Sequence, residues 1–380
     1  MPLPFQKPTG LLGRFAVIKP WPDVQAAEDE IIARLEITAR SMGLECVVVD
    51  PEGHELAPPH RRLTRQDVDF IFSLHFETPK AYDLFSFVAL WNPVRFYKEW
   101  GFQRFSRNLL THDDFLSCSS TGADDHVRQL IQGGPERNLD WFTMYHSLSE
   151  PILEPALGDG KIFYAGINWE RLDKKKKGRH QDLLKALDQE GLLRIHGPRL
   201  FQGVNVWEGY RSYVGPIPFD GVSFIHEIAR AGISLTLSSE AHIESELMSM
   251  RLFESLAAGV IILCDQNPFA RRHFGDTLLY LDTSGPTEQV YAQIKAHLEW
   301  IRSHPEEALA KARAAQAIFK ERFTLDRSLA AIYGNLTERK RQLEALYAPS
   351  NPEQSAHLLL LLPSYSPEDL DALLESAASQ

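Results

Sequence analysis

Short apolar runs alternate with amphipathic stretches along the first half of the chain. Compact apolar runs predict buried strands, whereas apolar residues three or four positions apart predict helices. The predicted strands cover residues 14–19, 44–50, 68–74 and 115–118, and the predicted helices cover residues 25–42, 82–91 and 124–132. Strand–helix alternation of this kind indicates a parallel sheet with helices on both faces.

The second half repeats the pattern. Its predicted strands cover residues 161–165, 192–196, 233–237, 260–263 and 277–281, and its predicted helices cover residues 180–189, 219–231, 244–258, 287–304 and 305–319. A stretch rich in Pro and Gly over residues 147–160 separates the halves and reads as a hinge. The chain therefore predicts an α/β fold with two doubly wound domains, residues 1–150 and 151–335. In such folds ligands bind at the carboxyl ends of the strands, and we expect the two domains to share a cleft.

Residues 336–380 are predicted as a C-terminal helix, a linker and a partial αβ unit. Residues 348–355 resemble a linker, and a strand, a Pro-rich turn and a helix follow. This tail is either a final hairpin on the N-terminal half or the first unit of a further domain, and we favour the second interpretation.

Composition narrows the class of protein. The chain has 380 residues, is 44% hydrophobic and carries a net charge of −11, which disfavours non-specific binding of nucleic acid. Cys46, Cys118 and Cys264 lack metal-ligand spacing and fit a reducing compartment. The N-terminus lacks the apolar core of a signal peptide, and no apolar run reaches the length of a membrane span. We expect a cytoplasmic protein, associated at most with the inner membrane face.

The most informative segment is residues 251–265, RLFESLAAGVIILCD. Its first part has one apolar helical face, Gly259 suits a helix end, and the apolar run that follows suits a buried strand. Arg251 and Glu254 are three positions apart and lie on one surface of the helix. An ordinary αβ unit with a capped helix is the simpler interpretation of this segment alone.

The wider order of motifs points further. A strand ending at Gly166 is followed by a basic loop, a strand ending at Gly197, a connector over residues 213–220, and a strand with a Ser238-Ser239 end. With the segment at 251–265, this series resembles the nucleotide-sugar domain of GT-B glycosyltransferases over residues 160–335.

The resemblance implies a role for each matching residue. Glu254 corresponds to the acid that binds the ribose hydroxyls of the donor, and Ser238 and Ser239 would face its phosphates. Arg251 would pair with a phosphate or a donor carboxylate, or else with Glu254 or Glu244 as an ion pair. The cations after the first strand of this half would neutralise the departing diphosphate, or are simply solvated. These cations are Arg171, Lys177 and Arg179.

One departure from the family concerns the donor. Hexose-transferring members carry a glycine-containing loop before this helix, but residues 240–246 contain no glycine, which puts a UDP- or GDP-hexose in doubt. Asp220 in a Pro-Phe-Asp-Gly turn and His242 after the next strand resemble instead the retaining bacterial β-Kdo transferases, which use CMP-Kdo. The resemblance makes Asp220 the candidate for the covalent nucleophile. The alternative is that Asp220 caps the following helix.

A double displacement also needs a group that activates the acceptor hydroxyl. Glu150 and Glu154 in the hinge and Glu77 are the candidates, although a solvated linker glutamate is the simpler interpretation of Glu150. His75 and Glu77 follow the third strand, and we expect them to bind the acceptor or to transfer protons. The chain is thus predicted to be a glycosyltransferase of bacterial surface polysaccharide assembly, with a nucleotide-sugar donor and a glycan or glycolipid acceptor.

No cofactor beyond the nucleotide sugar is expected, and no metal, because no metal-ligand motif is present. Further transferase domains of a larger synthase are possible partners. Three rival functions stay open. They are an inverting hexose transferase with His75 as general base, a non-catalytic GT-B-like binding module, and a sugar-nucleotide epimerase.

Overall fold

The computed structural model describes residues 5–131, 140–168, 171–172 and 180–347. These residues form two compact units. In the described part of the chain the first unit holds residues 5–28, 39–131, 140–144 and 328–347, and the second holds the rest. Each unit is built on a six-stranded parallel sheet, which confirms the predicted α/β class.

The first sheet has the order β2-β1-β3-β4-β5-β6, and every pairing is parallel. Its strands are β1 (Arg14–Ile18), β2 (Glu45–Val49), β3 (Ile71–Ser73), β4 (Ser86–Ala89), β5 (Asp114–Ser117) and β6 (Phe142–Thr143). The central strands β3, β4 and β5 are buried at every position, as expected for a sheet covered on both faces.

Helices of this unit pack on the sheet. They are α2 (Val94–Trp100), α3 (Phe102–Leu110), α4 (Thr121–Leu130) and, from Ser328 on, α12 (Leu325–Tyr347). Helix α1 (Glu28–Ser41) lies between β1 and β2 in the chain. Residues 29–38 of α1 are grouped with the second unit. Tyr333 of α12 packs against Phe15 and Phe70, and Arg339 forms a buried ion pair with Asp114 at 2.6 Å.

The second sheet has the order β11-β8-β7-β12-β13-β14, again parallel throughout. Its strands are β7 (Lys161–Ala165), β8 (Leu193–His196), β11 (Tyr213–Gly215), β12 (Gly232–Thr236), β13 (Ile261–Asp265) and β14 (Leu279–Leu281). A short antiparallel hairpin, β9 (Leu200–Phe201) and β10 (Val204–Asn205), lies between β8 and β11 in the chain. The predicted hinge over residues 147–160 is irregular and hydrogen-bonds to this unit, for example from Leu153 N to Ala257 O.

Seven helices of the described chain follow the strands of this unit. They are α5 (Gln181–Gln189), α6 (Ser223–Ala231), α7 (Glu240–Glu244), α8 (Met250–Ala257), α9 (Pro268–Phe274), α10 (Thr287–Ser303) and α11 (Pro305–Arg322). Gly232 joins α6 to β12 at φ +86°, and a Cβ there would lie 1.7 Å from Leu157 O. Only glycine therefore fits this junction.

The predicted helix over residues 82–91 is wrong. Ser86–Ala89 form β4, which pairs with β3 and β5 and is buried on both faces. A fully buried strand loses the polar alternation that marks exposed strands, so its periodicity cannot be told from that of a buried helix. Helices α2, α3 and α9, strand β6 and the β9–β10 hairpin were not predicted, and the predicted connector over residues 213–220 contains strand β11.

The predicted helix over residues 244–258 is confirmed only over Met250–Ala257, which form α8, while a separate helix, α7, ends at Glu244. Glu246 between them has φ +52°, which no α-helix continues through, and the extended Ser249 precedes α8. The basic run at 174–177 and the tail from residue 348 lie outside the described residues.

Candidate active site

Polar residues collect at the carboxyl edge of the second sheet. The chain runs from β7 outward to β8 and β11, then returns to the other side of β7 to form β12. This reversal makes a topological switch point between β7 and β12, where open α/β sheets bind their ligands. The predicted residues Gly166, Gly197, Ser238 and Ser239 follow β7, β8 and β12 at this edge.

Gly166 and Gly197 allow the backbones after β7 and β8 to lie close together at this edge. Gly197 has φ +148°, and a Cβ there would lie 2.1 Å from Gly166 O. The same Gly166 carbonyl accepts a hydrogen bond from Trp207 Nε1 at 3.3 Å. A Cβ on Gly166 would meet no atom within 4 Å. The end of β7 therefore leaves open space that a ligand can enter.

Arg251 in the first turn of α8 reaches this switch point. Its Nη1 donates to the carbonyl of Ala165, the last residue of β7, at 2.9 Å. Its guanidinium lies 5.4 Å from the ring centroid of Phe163 and 5.8 Å from that of Phe224. The side chain is 18% exposed, and no described residue accepts a hydrogen bond from its Nη2. A fixed, partly exposed guanidinium with a donor to spare can bind an anion.

A row of alternating buried charges, the charge chain, holds Arg251 in place. It consists of Glu30, Arg34, Glu254 and Arg251. Glu254 accepts from Arg251 Nε at 2.9 Å and from Arg34 Nη2 at 2.7 Å, and the same Nη2 donates to Glu30 at 2.6 Å. The second carboxylate oxygen of Glu30 accepts from the backbone N–H of Gly221 at 3.1 Å. The charge chain thus joins α1, α8, the end of β7 and the turn before α6.

The two acids of the charge chain, Glu254 and Glu30, differ in the direction of their pKa shifts. Burial acts to raise the pKa of Glu254, but Arg34 and Arg251 outweigh it and hold that pKa below its ordinary value. At Glu30, burial prevails over the attraction of Arg34 and raises the pKa. Glu254 is therefore ionised at neutral pH. Its side chain is only 1% exposed, so the implied contact with a ribose, which stays a prediction, must use lone pairs beside the two arginines.

Ser238 and Ser239 are used within the fold. Ser239 Oγ accepts from the backbone N–H of His242 at 3.0 Å and lies 2.5 Å from its Nδ1. Ser238 donates through its backbone N–H and its hydroxyl to the buried Asp265, and receives a hydrogen bond from Asn267 Nδ2 at 3.1 Å. These bonds fix the loop after β12 against the end of β13. The proposed phosphate contacts of both serines stay predictions.

Asp220 has the contacts of a helix cap. Its carboxylate accepts from Val222 N at 2.9 Å, from Ser223 N at 2.7 Å and from Ser223 Oγ at 2.6 Å, just before α6. Partial burial acts to raise the pKa of Asp220, but these hydrogen bonds outweigh it and lower the pKa. The side chain is exposed and ionised. The structure therefore shows the capping role, and the role of Asp220 as a nucleophile stays a prediction.

His75 and Glu77 follow β3 in the first unit. His75 is 7% exposed, lies edge-on to Trp21 and packs on Phe76. Burial lowers its pKa to about 4, so the ring is neutral at neutral pH. Its Nδ1 accepts from Glu77 N at 3.3 Å, which assigns the proton to Nε2. This tautomer favours donation to an acceptor hydroxyl over general-base catalysis at Nε2.

The remaining predicted residues are more dispersed. Glu150 is exposed in the irregular segment before β7. Arg171 forms an ion pair with Glu208 at 2.5 Å, so its charge already has a partner. Lys177 and Arg179 lie outside the described residues.

Sequence reasoning missed Glu30 and Arg34, which contribute half of the charge chain. Their four-residue spacing is typical of an ion pair within a helix, so the sequence could have predicted that they pair with each other. Nothing in the sequence indicates that Arg34 also pairs with an acid 220 positions away.

Known proteins are similar to this chain in sequence and in fold. Residues 176–334 match the sequence model of a family described as Glycosyl transferase-like, and no curated protein sequence matches significantly. Sucrose-phosphate synthase from Thermosynechococcus elongatus is 11% identical, with 87% of this chain and 99% of that one covered and a TM-score of 0.54. WaaG, a glycosyltransferase involved in lipopolysaccharide biosynthesis, is 14% identical, with 84% and 99% covered and a TM-score of 0.51.

At these identities the solved structures establish the fold, which is GT-B. Residues 176–334 are glycosyl transferase-like in sequence, and together with the fold this supports a transferase enzyme. Two further observations concern the described part of the chain. It contains no helix long and apolar enough to cross a membrane, and no group of three or more metal-ligating side chains.

Burial of His75 predicts a pH dependence of stability. Because its pKa is about 4 in the folded protein and 6.5 in the reference state, the unfolded chain binds more protons between these values. The stabilisation is complete above pH 6.5 and is lost as the pH falls towards 4. We expect His75→Gln to flatten the acid-side fall in the free energy of unfolding by up to about 1.4 kcal/mol per pH unit.

Urea unfolding across this pH range measures the effect. His226→Gln, at an exposed position of α6, is the control and should keep the wild-type slope. An unchanged slope in His75→Gln would show that His75 is not buried in the neutral form.

Proposed function

We propose that this glycosyltransferase binds its nucleotide-sugar donor at the carboxyl edge of the second sheet, with Arg251 on the donor phosphate. The observation that carries the proposal is the Arg251 guanidinium, fixed to the end of β7 with Nη2 unused among the described residues. A second guanidinium N–H alongside allows paired hydrogen bonds to phosphate oxygens. The sugar would pass to a glycan or glycolipid acceptor of the bacterial surface.

The charge chain supports catalysis as well as binding. A donor that is already oriented needs no reorganisation when charge develops on the departing phosphate. Glu254 and Ala165 O fix two of the three nitrogens of the Arg251 guanidinium, so the third points from a rigid frame. The ribose contact implied for Glu254 would add to this arrangement, because each carboxylate oxygen can accept more than one hydrogen bond.

We assign the acceptor to the first unit. His75 with its proton on Nε2 is suited to donate to an acceptor hydroxyl, and Glu77 beside it is half-buried. Glu150 is the proposed proton acceptor. In the finer proposal the donor is CMP-Kdo and the reaction retains configuration through Asp220.

The chemistry of that finer proposal proceeds in two displacements. A carboxylate oxygen of Asp220 forms a bond to the anomeric carbon while the bond from this carbon to the CMP phosphate oxygen breaks, and the electron pair leaves with CMP. The acceptor hydroxyl oxygen then attacks the same carbon, Asp220 departs as carboxylate, and the hydroxyl proton passes to Glu150. The lowered pKa keeps Asp220 ionised and its side chain is exposed, as a carboxylate nucleophile requires, although its hydrogen bonds must loosen for the attack.

A UDP- or GDP-hexose donor is the second candidate. It is favoured by the three hydrogen bonds of Asp220, which a helix cap explains without any catalytic role. In this case the donor would still bind through Arg251.

Nucleotide binding tests the donor site. Wild type, Arg251→Gln and Arg302→Gln are melted with CMP, CDP, UDP, GDP and their sugars, because a ligand of the native state raises the melting temperature. We expect one nucleotide to stabilise wild type and Arg302→Gln, whose arginine is exposed on α10. Arg251→Gln should bind it at least about tenfold more weakly, since a charge-assisted hydrogen bond is lost.

Equal stabilisation of Arg251→Gln would remove Arg251 from the donor site. Stabilisation by CMP alone supports the Kdo donor, and stabilisation by UDP or GDP supports a hexose donor. If no nucleotide shifts any variant, the non-catalytic binding module replaces the transferase proposal.

Asp220→Asn separates the cap from the nucleophile. Asparagine caps helices as well as aspartate does, so the melting temperature should stay close to that of wild type. Turnover should fall at least about a hundredfold if Asp220 is the nucleophile, and intact-mass analysis of wild type with CMP-Kdo and no acceptor should show a glycosyl adduct. Full activity of Asp220→Asn, with no adduct on wild type, would make Asp220 a cap.

A further inference from the structure

His196, the last residue of β8, has a buried nitrogen atom without a hydrogen-bond partner. The residue is only 2% exposed, and its Nδ1 lies 3.2 Å from the carbonyl oxygen of Gly215. A carbonyl oxygen only accepts, so the proton of the neutral ring is on Nδ1 and Nε2 carries a lone pair. No described residue forms a hydrogen bond with this Nε2. A buried polar atom in this state needs an explanation.

The group that faces Nε2 is the carboxylate of Glu227 on α6. Its Oε2 lies 3.8 Å from His196 Nε2, and both atoms are acceptors when the ring is neutral. The same carboxylate forms ion pairs with Arg194 Nη2 at 3.2 Å and with Arg230 Nη1 at 2.7 Å, which fix its position. A proton on Nε2 would turn the contact between two acceptors into an ion pair.

His196 is also connected to Arg251, the proposed phosphate ligand. The His196 ring stacks on Phe163 with the centroids 5.3 Å apart, and the Arg251 guanidinium lies 5.4 Å from the centroid of the same Phe163 ring. In the sheet His196 pairs with Ala165, whose carbonyl accepts from Arg251 Nη1. Two separate links therefore bring the charge of Arg251 close to the histidine.

The surroundings of the ring oppose its protonation. Burial is the largest effect and lowers the pKa of His196, and the charges of Arg194 and Arg251 lower it further. Glu227 and the carbonyl of Gly215 act in the opposite direction. These groups belong to β8, α8, α6 and β11, while β7 contributes an uncharged ring. Because Arg251 opposes the proton, an anion bound to Arg251 would reduce that opposition.

We propose that His196 takes up a proton when the anionic donor binds at Arg251, and then forms an ion pair with Glu227. The inference rests on the proposed donor site, because the donor phosphate supplies the negative charge that offsets Arg251. His196 is thus a positioning residue, since its new ion pair would fasten the end of β8 to α6. The complex binds more protons than the free enzyme does, so the affinity for the donor should increase as the pH falls.

Calorimetry counts the protons that accompany binding. The full chain is titrated with the nucleotide sugar that stabilises it, at about pH 6.5, in two buffers that differ in ionisation enthalpy. The phosphates of a nucleotide sugar carry no proton that titrates near this pH, so the protein is the site of uptake. A rise of one unit in the pKa of His196 takes up at most about half a proton, and we expect at least about 0.2.

Two variants and a control assign the proton. His196→Gln should bind the nucleotide sugar without proton uptake, and Glu227→Gln should bind it with less uptake than wild type. His226→Gln, exposed on α6 next to Glu227, is the control and should keep the wild-type uptake. Without any ligand, Arg251→Gln should raise the pKa of His196, which histidine NMR signals report.

The possible failures are distinguishable. Binding to wild type without proton uptake overturns this inference and leaves the donor site in place. Uptake that persists in His196→Gln assigns the proton to another group, which also overturns it. If no nucleotide sugar binds, the donor site fails and the inference fails with it. If His196→Gln does not fold, NMR titration of wild-type His196 with and without the nucleotide sugar decides, because an unchanged pKa contradicts the coupling.

Discussion

Arg34 and Glu254 are both almost completely buried, and Arg34 Nη2 lies 2.7 Å from Glu254 Oε1. A guanidinium stays charged inside proteins, so Arg34 can be buried only beside acids. Glu254 and Glu30 meet that need, and Arg251 completes the alternation. Removing one partner from such an arrangement costs about 3–5 kcal/mol, because it leaves an unpaired buried charge. The arrangement of α8, and with it the direction of the Arg251 guanidinium, depends on this charge chain.

The proposed binding of the donor depends on the position of Arg251 at one end of the charge chain. Two arginines and two acids alternate along it, and its partly exposed member, Arg251, lies at the switch point of the second sheet, bonded to the end of β7. At that edge the backbones of Gly197 and Gly166 lie too close for a Cβ on Gly197. The space beside Gly166 is open. The other end of the chain holds the backbone of Gly221, beside Asp220. One network therefore connects the proposed phosphate ligand with the candidate nucleophile.

Much of the fold could be predicted from the sequence, because apolar runs and glycine ends report local structure directly. Five of the six strands of the second sheet, with their glycine ends, were predicted in this way, and the Arg251–Glu254 ion pair was one of the stated alternatives. The strand at Ser86–Ala89 was missed because a strand buried on both faces loses its alternation. Arg34 was missed because its acid partner is 220 positions away, and local spacing carries no information on such a pair. The helix break at Glu246 depends on one left-handed residue that composition does not announce.

The most direct test of this account is a crystal structure of the chain with the nucleotide that stabilises it. The account predicts a phosphate oxygen within hydrogen-bond distance of the Arg251 guanidinium, with Glu254 still bonded to Arg34. A phosphate remote from Arg251, or a Glu254 carboxylate released from Arg34, would contradict it.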